Sequence, residues 1–224
     1  MKVMAFVSQK GGSGKTTSLL NLAVLATQSG LKVLVVDLDP QASATVWYRA
    51  RKAAKNGDAP LVVPTHQAGL GDLLEEARKQ GVDWVLIDTA AGTDTTASIA
   101  VESADLAIVP CRPSIMDLRA IPNTIRLCRA HNKSPHVILT QIPPKGLDAE
   151  ARTQLRSIGV DSVLQEGLGQ YAAFHHSLID GRGVVEYEPK GKGAADAQAL
   201  FRALRKLVDD EQPRGKRSRM RKAG

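Results

Sequence analysis

Residues 2–17 constrain this chain more than any other stretch. An apolar run, Val3-Met-Ala-Phe-Val7, leads into Gln9-Lys10-Gly11-Gly12-Ser13-Gly14-Lys15-Thr16-Thr17, and a helical pattern follows to Gln28. A buried strand, a glycine-rich turn and a helix opening on Gly-Lys-Thr together form an anion cradle. Glycines let the backbone bend round a phosphate with its N–H groups turned inward, and the helix N-terminus adds partial positive charge. Lys15 is placed to reach the β- and γ-phosphates of a nucleotide, and the Thr16 hydroxyl to ligate Mg²⁺. The strict loop pattern G-x-x-x-x-G-K-[ST] would have glycine where this chain has Gln9, and a second lysine, Lys10, opens the loop instead.

Short apolar runs alternate with helical periodicity along most of the chain. Strands are expected at 2–8, 32–37, 61–64, 84–88, 106–110 and 137–141, and helices at 16–28, 70–79, 95–103 and 115–129. Uniformly apolar strands separated by helices predict an α/β fold, a mostly parallel, doubly wound sheet of the P-loop NTPase type with helices on both faces. Pro122 falls inside a helical pattern, which either starts there or kinks. Residues 145–192 are less regular, broken by glycines at 159, 167, 169, 181, 183 and 191, and order returns over 194–210 with Ala197, Leu200, Phe201, Leu204, Leu207 and Val208 on one helical face. One domain is expected over 1–212, followed by a basic, disordered tail over 213–224.

Two further strand ends carry acids. Val33-Leu-Val-Val-Asp37-Leu-Asp39-Pro-Gln41 places Asp37 and Asp39 at i and i+2, on one face at the C-terminal edge of a parallel sheet, where ligands of such sheets bind. Trp84-Val-Leu-Ile-Asp88 ends an apolar strand in an aspartate suited to holding Mg²⁺ through water.

The run Lys10-Gly-Gly-Ser-Gly-Lys-Thr-Thr17, the Asp37-x-Asp39-Pro-Gln41 motif, the strand ending at Asp88 and the 168–187 segment together resemble the ParA/MinD family of ATPases, in its short partition and positioning form. The resemblance spans essentially residues 1–210. It implies ATP and Mg²⁺ as cofactors and a homodimer that closes round two nucleotides, with Lys10 reaching the partner subunit's phosphates. Asp39 would then position the attacking water, and Asp37 would support the metal with Thr16 and Asp88. It also implies binding to nonspecific DNA of the nucleoid, release by hydrolysis that a cargo-linked partner protein stimulates, and a plasmid, chromosome or protein assembly as cargo. Where this family usually has a proline-containing turn after the third motif, this chain has Ala90-Ala91. In the family that turn is a switch sensing the γ-phosphate, for which Gly92, in Thr89-Ala-Ala-Gly92, would supply a hinge. Pro113 and Gln141 stand at two neighbouring strand ends of one sheet edge, where the family packs the base, and are candidates for contact with it.

Composition narrows the partners. Lys and Arg number 30 against 23 acids, a net +7, which favours an anionic partner. Six of those cations, Arg214, Lys216, Arg217, Arg219, Arg221 and Lys222, sit in the last twelve residues with no acid, leaving the rest at +1. If all six met phosphates, the log–log salt slope of DNA binding would be about −5. Arg202, Arg205 and Lys206 form a second basic group on the last helix. Two cysteines, Cys111 and Cys128, point to a reduced cytoplasm rather than a disulfide framework. No run approaches the roughly 18 apolar residues of a membrane span, and the tail lacks the bulky apolar face of a membrane-surface helix, so no membrane partner is expected. His175 and His176, about 100° apart on a helix, are poorly placed to share one metal ion. The main rival is a small-molecule kinase or ligase on the same fold.

Overall fold

A computed structural model describes residues 1–92, 95–144 and 148–210. The tail residues Arg214, Lys216, Arg217, Arg219, Arg221 and Lys222, with the whole 213–224 segment, lie outside the described residues. Seven strands run in chain order: β1 Lys2–Phe6, β2 Val33–Asp37, β3 Leu61–Pro64, β4 Trp84–Asp88, β5 Leu106–Cys111, β6 Pro135–Leu139 and β7 Ser162–Val163. The sheet order is β3-β2-β4-β1-β5-β6-β7 and every pairing is parallel. The helices are α1 Lys15–Gln28, α2 Ser43–Ala53, α3 Leu70–Lys79, α4 Thr95–Ser103, α5 Ile115–Ala130, α6 Asp148–Ser157, α7 Ala172–Ile179, α8 Val184–Tyr187 and α9 Lys192–Asp210.

The strand pleat sorts the core into two layers. Met4, Phe6, Val35, Leu86 and Ile108 face one cluster with α1, α2, α7, α8 and α9. Val3, Ala5, Val36, Ile87 and Val109 face the other with α3, α4, α5 and α6. Strands buried on both faces read as unbroken apolar runs, which is why the sequence exposed them. In the last helix, Phe201 packs on Trp84 with ring centroids 5.7 Å apart, leaving Arg202, Arg205 and Lys206 exposed.

The structure refines the sequence reading where periodicity is weak. β6 starts and stops two residues earlier than the apolar pattern suggests, because Thr140 and Gln141 leave the sheet to meet the glycine loop. Pro122 sits inside α5 without ending it. The glycine-broken stretch contains α6, which buries only Ala151, Arg152 and Leu155 and so shows little apolar period, and the short β7, α7 and α8.

Candidate functional site

The glycine loop joins β1 to α1 at the C-terminal edge of the sheet. Gly12 and Gly14 have φ of 74° and 87°, backbone that favours glycine, and a Cβ on Gly14 would come within 3.3 Å of Thr140. No side chain caps α1 and no acid lies in its first turn, so its N–H groups are left for an anion. β6 braces the loop from the side: the Thr140 hydroxyl donates to the Ser13 carbonyl at 2.7 Å and the Gln141 amide to the Gly12 carbonyl at 2.8 Å. Gln9, standing where the strict pattern has glycine, is held by α5; its side chain accepts from Asn123 at 2.6 Å and its backbone N–H donates to Thr124 at 3.0 Å.

Two cavities open on this loop. One, of about 520 Å³, is lined by Gly11 to Thr17, Asp39, Pro40, Gln41, Ser43, Ala90 and Ala91. The other, of about 380 Å³, lies between the start of α1 and the 168–175 segment, with Gly14, Thr17, Ser18, Thr140, Gln141, Leu168, Tyr171 and His175 in its wall. The first brings together the loop and Asp39 as the sequence suggested. The second holds Gln141, which therefore both braces the loop and faces the cavity. Pro113 is buried at the start of α5 and lines neither. Ser18, Leu168, Tyr171 and His175 were missed from sequence. Only Ser18 left a signal, four residues on from Gly14 and so on the same face of α1.

Lys15 is 7% exposed. Burial pushes its ammonium below the ordinary lysine range, while the charges of Asp88 and Asp39 pull it back up. Asp88 is fully buried, and burial raises its carboxyl to about 7 against the hydrogen bond from Thr16 and the charge of Lys15. The Thr16 hydroxyl donates to Asp88 Oδ2 at 2.7 Å. Asp88 Oδ1 is buried and, among the described residues, has no hydrogen-bond partner. A buried carboxylate oxygen without a donor, beside a hydroxyl at a helix N-terminus, is the oxygen-rich setting a hard divalent cation takes. These residues fit Mg²⁺.

Asp37 behaves differently. Its Oδ2 accepts from the Thr45 backbone at 2.8 Å and the Thr45 hydroxyl at 2.7 Å, and its Oδ1 from the Asp39 backbone at 3.3 Å. It is buried and outside both cavity walls. Its hydrogen bonds anchor the start of α2, and its charge still reaches Asp88, its register partner on β4, whose carboxyl it helps raise. Asp39 Oδ1 accepts from the Gln41 backbone at 2.9 Å while its side chain faces the phosphate cavity.

Lys10 points away from its own loop. Its ammonium lies 3.5 Å from Asp117 Oδ2, and the Arg112 guanidinium donates to Asp117 Oδ1 at 3.0 Å. Burial works against ionising Asp117, but bonds from Ser114 and Arg112 and the nearby cations outweigh it, holding the carboxyl below its ordinary range. Nothing in the sequence pattern marked Asp117. The turn after β4 is tied to the loop by Gly92 N–H donating to the Ser8 carbonyl at 3.2 Å.

Cys111 and Cys128 are free, and burial lifts both thiols to about 12. Among the described residues no group of three His, Cys, Asp or Glu is placed to hold a metal ion, and no helix is long and apolar enough to cross a membrane.

A seven-stranded parallel sheet with a phosphate-cradling loop at the end of a central strand defines a P-loop nucleotide-binding fold. The family model for the CobQ/CobB/MinD/ParA nucleotide binding domain matches residues 4–221, and the chain belongs to that family. Its ParA/MinD members are ATPases. The chain is 32% identical over 213 residues to maintenance of carboxysome distribution protein A of Gloeobacter kilaueensis, covering 93% of this chain and 94% of that one. Among solved structures, the MinC:MinD cell division complex of Aquifex aeolicus superposes with TM-score 0.76 at 21% identity, covering 95% of this chain and 98% of that chain. The septum site-determining protein MinD of Pyrococcus horikoshii, complexed with Mg-ADP, superposes with TM-score 0.72 at 24% identity, covering 92% and 97%.

Proposed function

We propose that this chain is an ATP-dependent positioning ATPase that dimerises round Mg·ATP, binds nonspecific DNA and is released by partner-stimulated hydrolysis. The observation that carries the reading is the pairing of an open phosphate loop with the half-satisfied carboxylate of Asp88. The N–H groups of residues 11–17 and Lys15 bind and neutralise the phosphates. Thr16 and Asp88 hold Mg²⁺, which when bound draws charge from the phosphate oxygens. Asp39, in the cavity wall, orients the attacking water. The cavity at Thr140, Gln141 and Tyr171 receives the base.

For Lys10 to serve the partner subunit's phosphates, it must leave Asp117. The ammonium is about a third exposed, and the buried Asp117 keeps Arg112 and Ser114 when it leaves. The pair therefore costs on the order of 1 kcal/mol to break, within reach of a phosphate across a closing interface. Arg202, Arg205 and Lys206, with the 213–224 segment, supply the basic DNA-facing surface. The relative from Gloeobacter is named for carboxysome distribution, which favours a protein assembly as cargo and a nucleoid-bound, cytoplasmic setting.

The test is phosphate release from the whole chain with Mg·ATP, with and without duplex DNA. Slow turnover that DNA accelerates is expected, and Lys10→Ala is expected to bind ATP as a monomer yet fail to dimerise. Absence of turnover in every condition would refute the ATPase reading; normal dimerisation of Lys10→Ala would refute the role in trans. A metabolic kinase would turn over independently of DNA.

A further inference from the structure

Residues 43–57, which form α2 and the turn behind it, contain Arg49, Arg51, Lys52 and Lys55 and no acid. What α2 buries decides which of these meet solvent. Ala44, Thr45, Trp47 and Arg51 turn inward, and the Trp47 indole N–H donates to the Arg182 carbonyl at 3.2 Å. Arg51 is used inside the molecule: it grips both oxygens of Glu186 at 2.8 and 2.9 Å and donates to the Ala59 and Gly181 carbonyls. The other three stand at i, i+3 and i+6 and are exposed. Among the described residues none of them is paired with an acid. The Lys52 ammonium lies over the Tyr48 ring at 5.7 Å.

We propose that this edge of α2, through Arg49, Lys52 and Lys55, docks the phosphate backbone of duplex DNA. The inference rests on the DNA-binding reading above and adds a second basic surface to that of α9, one expected to contribute more than α9 does. Residues 1–212 are almost neutral, so a local excess matters more than the total. α9, by contrast, sets four cations against three acids. α5 carries Arg119, Arg126 and Arg129, but Arg126 donates to Asn123 and Arg129 to the Gly159 carbonyl. That leaves Arg119 as its one exposed cation without such a bond among the described residues.

The exposed face of α2 offers one large apolar side chain, Val46. A protein interface needs an apolar centre, whereas a DNA backbone needs only cations within reach of successive phosphates. Arg49 and Lys52 are separated by about 4.5 Å of helix rise, and their long side chains span the rest. α2 also grows from the wall of the phosphate cavity: Asp39, Gln41 and Ser43 line it, and Asp37 fixes Thr45. The segment that meets the phosphates therefore sets the pose of the three cations.

The experiment compares two whole-chain variants, Arg49→Ala/Lys52→Ala/Lys55→Ala and Arg202→Ala/Arg205→Ala/Lys206→Ala, by fluorescence anisotropy on a 60-base-pair duplex with a non-hydrolysable ATP analogue. Sedimentation and thermal melting report dimerisation and folding. The α2 variant is expected to lose at least tenfold in DNA affinity and to flatten the salt slope by about 3 per subunit, with dimerisation intact; the α9 variant is expected to lose less. The charge-conserving Arg49→Lys/Lys52→Arg/Lys55→Arg must keep its affinity, and its loss with the fold intact would overturn the proposal. Wild-type DNA binding by the α2 alanine variant would also overturn it. Loss of polyglutamate binding by that variant, with DNA binding kept, would assign the edge to an acidic protein partner instead. Failure of the wild-type chain to bind DNA in any nucleotide state would remove the broader DNA reading itself.

Discussion

The ends of β2 and β4 lie side by side, with Asp37 and Asp88 as partners in the parallel register. Both are aspartates, both are buried, and both close an apolar strand. Their surroundings separate them. Asp37 spends both oxygens on donors from the start of α2 and the next loop, while Asp88 has one oxygen on Thr16 and the other without a donor. A carboxylate whose bonds are met by the chain builds structure; one left short is kept for a ligand. The two lysines of the loop divide similarly. Lys15 is buried among the site's acids, and Lys10 is tied outward to Asp117.

Substitutions break this comparison in a definite order. Asp88→Ala removes the carboxylate proposed to hold Mg²⁺, so Mg²⁺-dependent kcat/KM should fall by about a thousandfold while melting shows a folded chain; activity within tenfold of wild type would show that Asp88 does not hold the ion. Asp88→Asn tests its charge in the absence of nucleotide. The folded chain binds the Asp88 proton more tightly than the unfolded one, so stability is full below the unfolded pKa and is lost as pH climbs to about 7. The variant escapes that loss, and should exceed wild type by roughly 4 kcal/mol at pH 8 and by little at pH 4. Equal gains at both values would disprove a buried ionising carboxylate.

Asp37→Ala strands the Thr45 donors and should lower stability by about 2 kcal/mol, read as a falling denaturation midpoint. An unchanged midpoint would mean that α2 does not depend on it. The smallest effect belongs to Lys10→Ala, within about 1 kcal/mol in stability, because the ammonium is about a third exposed and Arg112 and Ser114 still bind the buried Asp117. A larger drop would show that Lys10 is structural.

Much of this was legible in the sequence where a local pattern has a physical cause. Doubly buried strands read as apolar runs, and a phosphate loop needs its glycines and lysine next to one another. The acids that end β2 and β4 were visible for the same reason, but their different tasks were not. Which oxygen is satisfied depends on Thr45, eight residues further along and fixed only once α2 has packed. The Lys10–Asp117 and Arg51–Glu186 pairs span 107 and 135 positions and leave no periodic trace. The second cavity draws residues from α1, the end of β6 and the 168–175 segment. Its glycine-broken part has helices too short to announce themselves.

Sedimentation velocity of the whole chain, in Mg·ADP and then in a Mg²⁺ complex of a non-hydrolysable ATP analogue, tests the central claim most directly. The expected result is a 23.9 kDa monomer with ADP and a species of twice that mass with the analogue. A single mass in both nucleotides would contradict the nucleotide-driven dimer and, with it, the positioning mechanism.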